Sequence, residues 1–390
     1  IIQWPKTSGS AVAKVKEILG DLTDPGLDIL EIIAKYHFDT DFSPAVLKEA
    51  EAVAKITTQE EENRLDFRGD LLVTIDGKDA RDLDDAVSLS IEENGSYRLG
   101  VHIADVGHYV PVGSRLDREA YQRGTSVYFP DRVLPMLPKQ LSNGVCSLNA
   151  GEDRLALSCI IFLDEDGKIL KHQIAESIIH VTKRLDYPTV NAALEQDDQK
   201  AQAEYQQVLP LLRNMAKLAA ILQQKRFARG AIDFHFPETK ILMDDNGQVI
   251  GLEKRERHTA EGMIEEFMIL ANEVVASHYH RKKMPFIYRI HEQPDREKCL
   301  ALNQILAPFG YQLSLRGETI KPKAFATFLQ KTIGKPEEKM VQTLALRSMQ
   351  HAAYSTLPLG HFGLASKYYS HFTSPIRRYP DLAIHRVIKA

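Results

Sequence analysis

Short apolar runs bounded by polar turns recur in the first half of the chain. Leu71-Leu72-Val73-Thr74-Ile75, Tyr97 to Val106 and Leu155 to Leu163 have this form, and the stretch from Leu71 to Leu163 is predicted to be mostly strand. Helical spacing appears on either side. Leu27, Ile29, Leu30, Ile32 and Ile33 form an apolar face after Asp24-Pro25, where Asp suits an N-cap and Pro a first turn. Ser43-Pro44 predicts the start of a second helix. Ala201 to Arg229 carries a long helical pattern, interrupted or bent at Pro210. Gly262 to His280 is apolar at Met263, Phe267, Leu270, Val274 and Val275 and predicts another long helix. Gly124 to Leu148, rich in Pro, Gly, Ser and Asn, predicts a long ordered loop, and the polar Thr57 to Asn63 a linker or helix end. Strands and helices mix without a βαβ rhythm, so an α+β fold is expected and not a doubly wound sheet.

The chain has 390 residues, more than one ordinary domain, and residues 1–60 differ in character from the rest. With 44% hydrophobic and 26% charged residues the composition is that of a globular protein with a large core. No apolar run reaches the length of a membrane span, and Ile1-Ile2-Gln3-Trp4-Pro5 has no signal-peptide character. The chain does not start with Met and stops inside an amphipathic pattern, so a fragment of a longer protein is expected. Cys146, Cys159 and Cys299 form no CxxC pair, which argues against a disulfide framework and for a reducing cytoplasm. The formal net charge of −4 argues mildly against a general nucleic-acid binder. Local clusters matter more than this sum.

The most informative cluster is acidic. Thr74-Ile75-Asp76-Gly77-Lys78-Asp79-Ala80-Arg81-Asp82-Leu83-Asp84-Asp85 places five Asp residues within ten positions directly after an apolar strand. Like charges packed together repel unless a cation compensates them. Hard divalent ions prefer carboxylate oxygens, and phosphodiester hydrolysis uses such ions to activate water and neutralise the leaving oxygen. An EF-hand loop is excluded because Lys78 stands where its second ligand belongs. A solvated acidic loop remains the rival, opposed by the apolar neighbours Ile75, Leu83, Ala86 and Val87.

Further blocks follow in a set order. They are Arg64-Leu65-Asp66-Phe67-Arg68 before the acidic segment, then Val101-His102-Ile103-Ala104-Asp105-Val106, Gly124-Thr125-Ser126-Val127-Tyr128-Phe129-Pro130 and Pro135-Met136-Leu137-Pro138. Ile264-Glu265-Glu266-Phe267-Met268-Ile269-Leu270-Ala271-Asn272, His361-Phe362-Gly363-Leu364 and Thr373-Ser374-Pro375-Ile376-Arg377-Arg378-Tyr379-Pro380-Asp381-Leu382 complete the set. With these blocks the sequence closely resembles the catalytic (RNB) domain of the ribonuclease II/R family, with wording nearer the ribonuclease R branch. The resemblance implies a mixed β-sheet core flanked by helices over 61–390, cut short at its C-terminus. Residues 1–60 would be a helical linker with a remnant of a cold-shock-like β-barrel. It further implies a monomeric, processive, hydrolytic 3′→5′ exoribonuclease. Such an enzyme uses Mg²⁺, or Mn²⁺, to degrade single-stranded RNA to 5′-mononucleotides and a short end product.

The resemblance also implies roles for single residues. Asp76, Asp82, Asp84 and Asp85 fall on the family's four catalytic aspartates. Asp76, Asp82, Asp84 and Asp85 would make up its metal site, with Asp76 and Asp85 the direct ligands and Asp84 the residue whose loss abolishes chemistry while sparing RNA binding. Tyr128 falls on the aromatic that stacks on the terminal base, with Phe234 or Phe236 as its partner; core packing is the rival for a lone Tyr in a strand. Arg377 falls on the catalytic arginine, where a planar fork can hold phosphate oxygens, against a surface salt bridge. Arg378 beside it is an RNA-binding candidate. Glu265 falls on a ribose contact, against a helix-surface pair with a cation one turn away. The basic run His280-Arg281-Lys282-Lys283 lines RNA or is a solvated helix end. The rival function is a catalytically inactive RNA-binding protein on the same fold. The intact Asp76, Asp82, Asp84, Asp85, Tyr128 and Arg377 speak against it.

Overall fold

A computed structural model describes residues 9–390 apart from 16, 22–23, 56–62, 235–237, 245–246, 256, 316 and 318. Helices α1 (Leu27–Tyr36) and α2 (Pro44–Val53) precede strands β1 (Leu65–Asp66), β2 (Leu72–Asp76), β3 (Asp85–Ile91) and β4 (Tyr97–Ala104). Next come α3 (Val106–Tyr109), α4 (Arg115–Arg123) and a short hairpin of β5 (Val127–Tyr128) and β6 (Val133–Leu134). Strands β7 (Asp153–Leu163), β8 (Ile169–His180) and β9 (Lys183–Asp186) lead into α5 (Tyr187–Glu195), α6 (Gln199–Glu204) and α7 (Leu209–Arg229). A second hairpin, β10 (Glu238–Met243) with β11 (Val249–Arg255), precedes α8 (Thr259–Arg281) and β12 (Tyr288–Ile290). The chain ends with α9 (Arg296–Leu306), α10 (Pro322–Gln330), α11 (Glu338–Ser348), β13 (Ala353–Ser355) and α12 (Tyr379–Lys389). No helix among the described residues is long and apolar enough to cross a membrane.

The contacts group the chain into two units. The smaller holds residues 1–42, 127–134 and 238–255. In it, Ile29 and Ile33 of α1 pack on Leu134, with Val127 and Phe129 alongside. The expected Asp24 cap is not the one used. The Asp24 carboxylate accepts the Asp21 N–H, and α1 begins after Gly26, whose φ of 77° suits a residue without Cβ.

The larger unit holds residues 43–126, 135–237 and 256–390. Its α2 starts as expected, with Ser43 Oγ accepting the Val46 N–H and Pro44 in the first turn. The predicted helix over Ala201 to Arg229 is two helices, with the break at Tyr205–Val208. Pro210 sits in the first turn of α7, where its missing N–H has no intrahelical partner to lose. The stretch Gly124 to Leu148 is less irregular than expected, since it contains β5, β6 and a π-helical turn over Gln140–Val145.

A seven-stranded sheet in the order β1-β8-β7-β4-β3-β2-β9 forms the core of this unit. β1 with β8 and β2 with β9 run parallel; the other neighbours are antiparallel. The sheet is therefore mixed and the fold α+β. Alternate residues turn to one face. Leu99, Val101 and Ile103 of β4 and Leu157, Cys159 and Ile161 of β7 share a core with Leu212, Met215 and Leu218 of α7 and Phe267, Ala271 and Val275 of α8. A second core joins α9, α10 and α11 through Leu302, Phe325, Phe328 and Val341.

On the other face the intervening residues form a buried polar ladder. His102 of β4 hydrogen-bonds Ser88 of β3 through Nε2 at 3.0 Å and Ser158 of β7 through Nδ1 at 2.7 Å. Ser158 in turn pairs with Ser177 of β8 at 2.6 Å. Burial pushes His102 down to about 3, so the ring is neutral at neutral pH and offers one donor and one acceptor. Gly100 leaves the room this ladder needs, because a Cβ there would overlap both Ser88 Oγ and His102 Nε2. Gly100→Ala is therefore expected to destabilise the fold by about 1–3 kcal/mol, as overpacking does. Urea denaturation at pH 7 measures it; an unchanged midpoint would show that His102 can yield.

Candidate active site

β2 ends at Asp76 and β3 begins at Asp85, so the acidic segment is the connection between two neighbouring core strands. Three anchors shape it. Arg184 of β9 donates through Nη2 to the carbonyls of Lys78 at 3.0 Å and Ala80 at 2.5 Å. Ser147 Oγ accepts the Leu83 N–H at 3.1 Å and donates to the Arg81 carbonyl at 2.8 Å. Leu83 is 2% exposed and fixes the loop in the core. The carboxylates are thus carried on a held element, unlike a solvated acidic loop.

Asp84 is 4% exposed. Its Oδ1 accepts the Ile376 N–H at 2.8 Å and its Oδ2 the Arg377 Nε–H at 3.2 Å. Burial pushes its pKa well up, while Arg377 and the Ile376 N–H pull the other way. Asp85 is pushed up to about 7, first by burial and then by repulsion from Asp76. Asp76 is raised by burial and by Asp82, opposed by its hydrogen bond from the Gly77 N–H and by Arg377 and Arg184. Asp76 thus feels both Asp82 and Asp85.

Arg377 lies in the turn before α12. Its Nη2 donates to Ser374 Oγ at 2.8 Å, and the side chain is 44% exposed. The guanidinium is therefore held at Nε and Nη2 while presenting surface to solvent. The turn is fixed by Asp381, fully buried, which accepts from Ser374 N and from Arg378 Nη2 at 2.8 and 2.7 Å. Residues 124–126 lie against it. Ser126 N and Thr125 Oγ1 donate to the Arg377 carbonyl, and Tyr379 N donates to Gly124 O.

Glu265, on α8, pairs with Arg257 Nη2 at 2.5 Å and lies 4.0 Å from Arg226 Nη2. The cation comes from the segment before the helix and from α7, and not from one turn away on α8. Next to it, Glu266 forms a buried bidentate pair with Arg226 that ties α7 to α8. Phe234 packs against the core of α9 to α11. Tyr128, in the smaller unit, is 51% exposed and paired through β5 with Val133, which is not the burial of a core ring. Phe236 lies outside the described residues. Arg184, Ser147, Ser374 and Asp381 are positioning residues that the sequence reading did not single out. Ser374 and Asp381 stand inside a quoted block and were within reach. Arg184 had no signal, because β9 meets β2 only in the folded sheet.

The donor chemistry fits a hard divalent cation. Asp76 and Asp85 are carboxylates with raised proton affinity that repel each other, and positive charge would relieve both effects. Among the described residues no group of three His, Cys, Asp or Glu side chains is placed to hold a metal ion by itself.

Comparisons with known proteins identify the family. The family model described as the RNB domain matches residues 64–390, and one described as a cold shock domain matches residues 1–43. The chain is 47% identical over 388 residues to Ribonuclease R 1 of Lactococcus lactis subsp. lactis, covering 99% of this chain and 47% of that protein. It is 45% identical over 393 residues to Ribonuclease R of Thermotoga maritima, covering 100% and 55% respectively. The chain thus spans about half the length of these relatives. The solved structure of Mycoplasma genitalium RNase R in complex with ribose-methylated single-stranded RNA matches with a TM-score of 0.90 at 32% identity. That match covers 96% of this chain and 58% of the other.

The raised pKa of Asp85 has a measurable consequence. A carboxyl raised from 3.8 to about 7 contributes stability that is present below its ordinary value and lost as pH rises through about 7. Asp85→Asn removes that loss. In EDTA the variant is expected to have a higher urea midpoint than the parent at pH 8, with the gap closing near pH 4. Equal midpoints at pH 8 would show that the site does not strain Asp85.

Proposed function

The chain belongs to the RNB domain family, and on that premise we propose that it is a hydrolytic 3′→5′ exoribonuclease acting on single-stranded RNA. The observation that carries the reading is the partly buried, mutually repelling pair Asp76 and Asp85 in the same charge cluster as the held guanidinium of Arg377. The names of the relatives and the RNA in the Mycoplasma genitalium structure support the substrate class. Processive release of 5′-mononucleotides and a short end product, and action as a monomer, complete the proposal by resemblance. The three cysteines are buried and unpaired, in keeping with the reducing cytoplasm proposed for it.

Asp76 and Asp85 would hold Mg²⁺ or Mn²⁺, with Asp82 as a neighbouring carboxylate. A bound divalent ion would supply charge neutralisation at the scissile phosphate and a water of lowered pKa. Asp84 then acts through Arg377. Its Oδ2 accepts from Arg377 Nε while Ser374 Oγ accepts from Nη2, and together they hold the guanidinium in one orientation, so that the exposed edge can meet phosphate oxygens without reorganising. Arg378, held by Asp381, adds positive charge beside it, and the exposed ring of Tyr128 offers a stacking surface for a base. Glu265 can accept from a ribose 2′-OH, a group DNA lacks, while Arg257 opposes the burial that raises its pKa. Phe234 is proposed to line the same path.

Incubation with 5′-labelled single-stranded RNA and Mg²⁺ tests the activity. A ladder of shortening labelled products, abolished by EDTA, is expected; RNA binding without any shortening would leave the inactive RNA-binding reading instead. Arg377→Lys is expected to lower single-turnover decay of a short poly(A) by about 10²–10³, since Lys keeps the charge but loses the fork. RNA affinity in EDTA should change little. Near-parental turnover would show that charge alone suffices. Asp84→Asn is expected to abolish hydrolysis with affinity nearly intact, and parental turnover in that variant would remove Asp84 from the mechanism.

A further inference from the structure

The C-terminal end of α8 borders a cleft of about 670 Å³. Sixteen residues separate Glu265 from Arg281 on this helix, or about 24 Å along its axis at 1.5 Å per residue. The cleft is therefore well removed from the Glu265 end of the helix. Its floor and wall are aromatic. Phe286 and Tyr288 are buried, and Tyr368 is stacked face to face on His280 with ring centroids 3.9 Å apart. Its rim carries Arg281 and Lys283, both exposed, and among the described residues neither has an ion-pair partner. Among the described residues no acidic side chain lines it.

A basic helix end alone would be explained by the helix dipole. The backbone of Lys283 is not. The chain leaves α8 through this residue at φ 58°, with Lys283 N bonding His280 O and Met284 N bonding Tyr279 O. Glycine is the residue that ends helices this way without strain. Here a side chain is kept at a position whose backbone disfavours one, and that side chain borders the cleft. Cations beside aromatic faces, with no carboxylate, match a ligand that is both anionic and flat.

We propose that this cleft is a nucleoside-phosphate site separate from the carboxylate site. The phosphate lies between Arg281 and Lys283, and the base lies against the Tyr368 side of the wall. A volume of about 670 Å³ accommodates one nucleotide. The ligand is either a free nucleoside monophosphate or one unit of an RNA strand. The proposal does not rest on hydrolysis, because binding can be read where hydrolysis is stopped.

The whole chain, in EDTA, is photolabelled with 8-azidoadenosine 5′-monophosphate and, separately, with an oligoadenylate carrying 8-azidoadenosine at an internal position. Labelled peptides are then mapped. Label on residues 284–288 or 356–368 is expected. Label from the free nucleotide alone identifies a mononucleotide site, and label from the oligonucleotide identifies contact with a strand. Lys283→Gly is expected to cut labelling there by about tenfold, the scale of losing one charge-assisted contact. Its thermal midpoint should be equal or higher, since glycine relieves the left-handed strain, and turnover of a tetranucleotide in Mg²⁺ should be unchanged. Label mapped at residue level only to 76–85 or 373–378 overturns the proposal. So does undiminished labelling in Lys283→Gly, and so does tetranucleotide turnover that falls in step with labelling, which would make the cleft part of the carboxylate site.

Discussion

Asp84 and Arg377 lie 293 positions apart in the chain and meet through a hydrogen bond from Nε to Oδ2, with the Ile376 N–H on the other carboxylate oxygen. A carboxylate that is 4% exposed has lost its solvation, and these donors offset part of that cost while burial still raises its pKa. The contact therefore sets two things together. It locks the connection between β2 and β3 against the turn before α12, and it aims the arginine whose outer edge remains in solvent. Removing either partner leaves a buried charge or an unheld guanidinium, costs that a surface pair would not carry.

The charged groups of the larger unit divide by how they are compensated. Arg226 and Glu266 bury a bidentate pair between two helices, and Asp105 sits fully buried between Arg64 and Lys389. Nearby positive charge outweighs burial at Asp105 and holds its carboxyl low, the signature of a structural ion pair. Asp76 and Asp85 behave in the opposite way. Burial raises both, Asp82 adds to the rise at Asp76 and Asp76 to that at Asp85, and Arg377 only partly offsets the effect. Charge left uncompensated by the fold at the end of two core strands is charge available to a ligand, and it lowers the stability of the empty protein.

Much of the strand core was legible. The runs at Leu72–Asp76, Tyr97–Ala104 and Asp153–Leu163 were found because their apolar residues announce burial, and α8 because its stripe is long. β8 and β9 were not found. β8 runs from exposed and half-buried positions into a buried end at Ser177 to Ile179, and β9 has only four residues, so neither carries a periodicity of its own. The Asp24 cap and the exact place of the interruption beside Pro210 differ from the sequence reading for a shared reason. Both residues have the right chemistry, but where each is used depends on neighbouring hydrogen bonds that spacing does not specify.

The sequence by itself determined which chemistry the chain can hold: the clustered aspartates, the Ser-Pro-Ile-Arg-Arg-Tyr block and the α+β alternation are all local, and local patterns survive without a fold. The tertiary structure decided what each residue does. It turned Asp84 inward to a guanidinium, gave Arg184 the loop carbonyls to hold, paired Glu265 with Arg257, and kept Tyr128 out of a core. These assignments depend on burial and on partners tens to hundreds of residues away. Burial fixes the cost of a charge and the partner fixes its direction, and neither quantity exists until the chain has closed on itself.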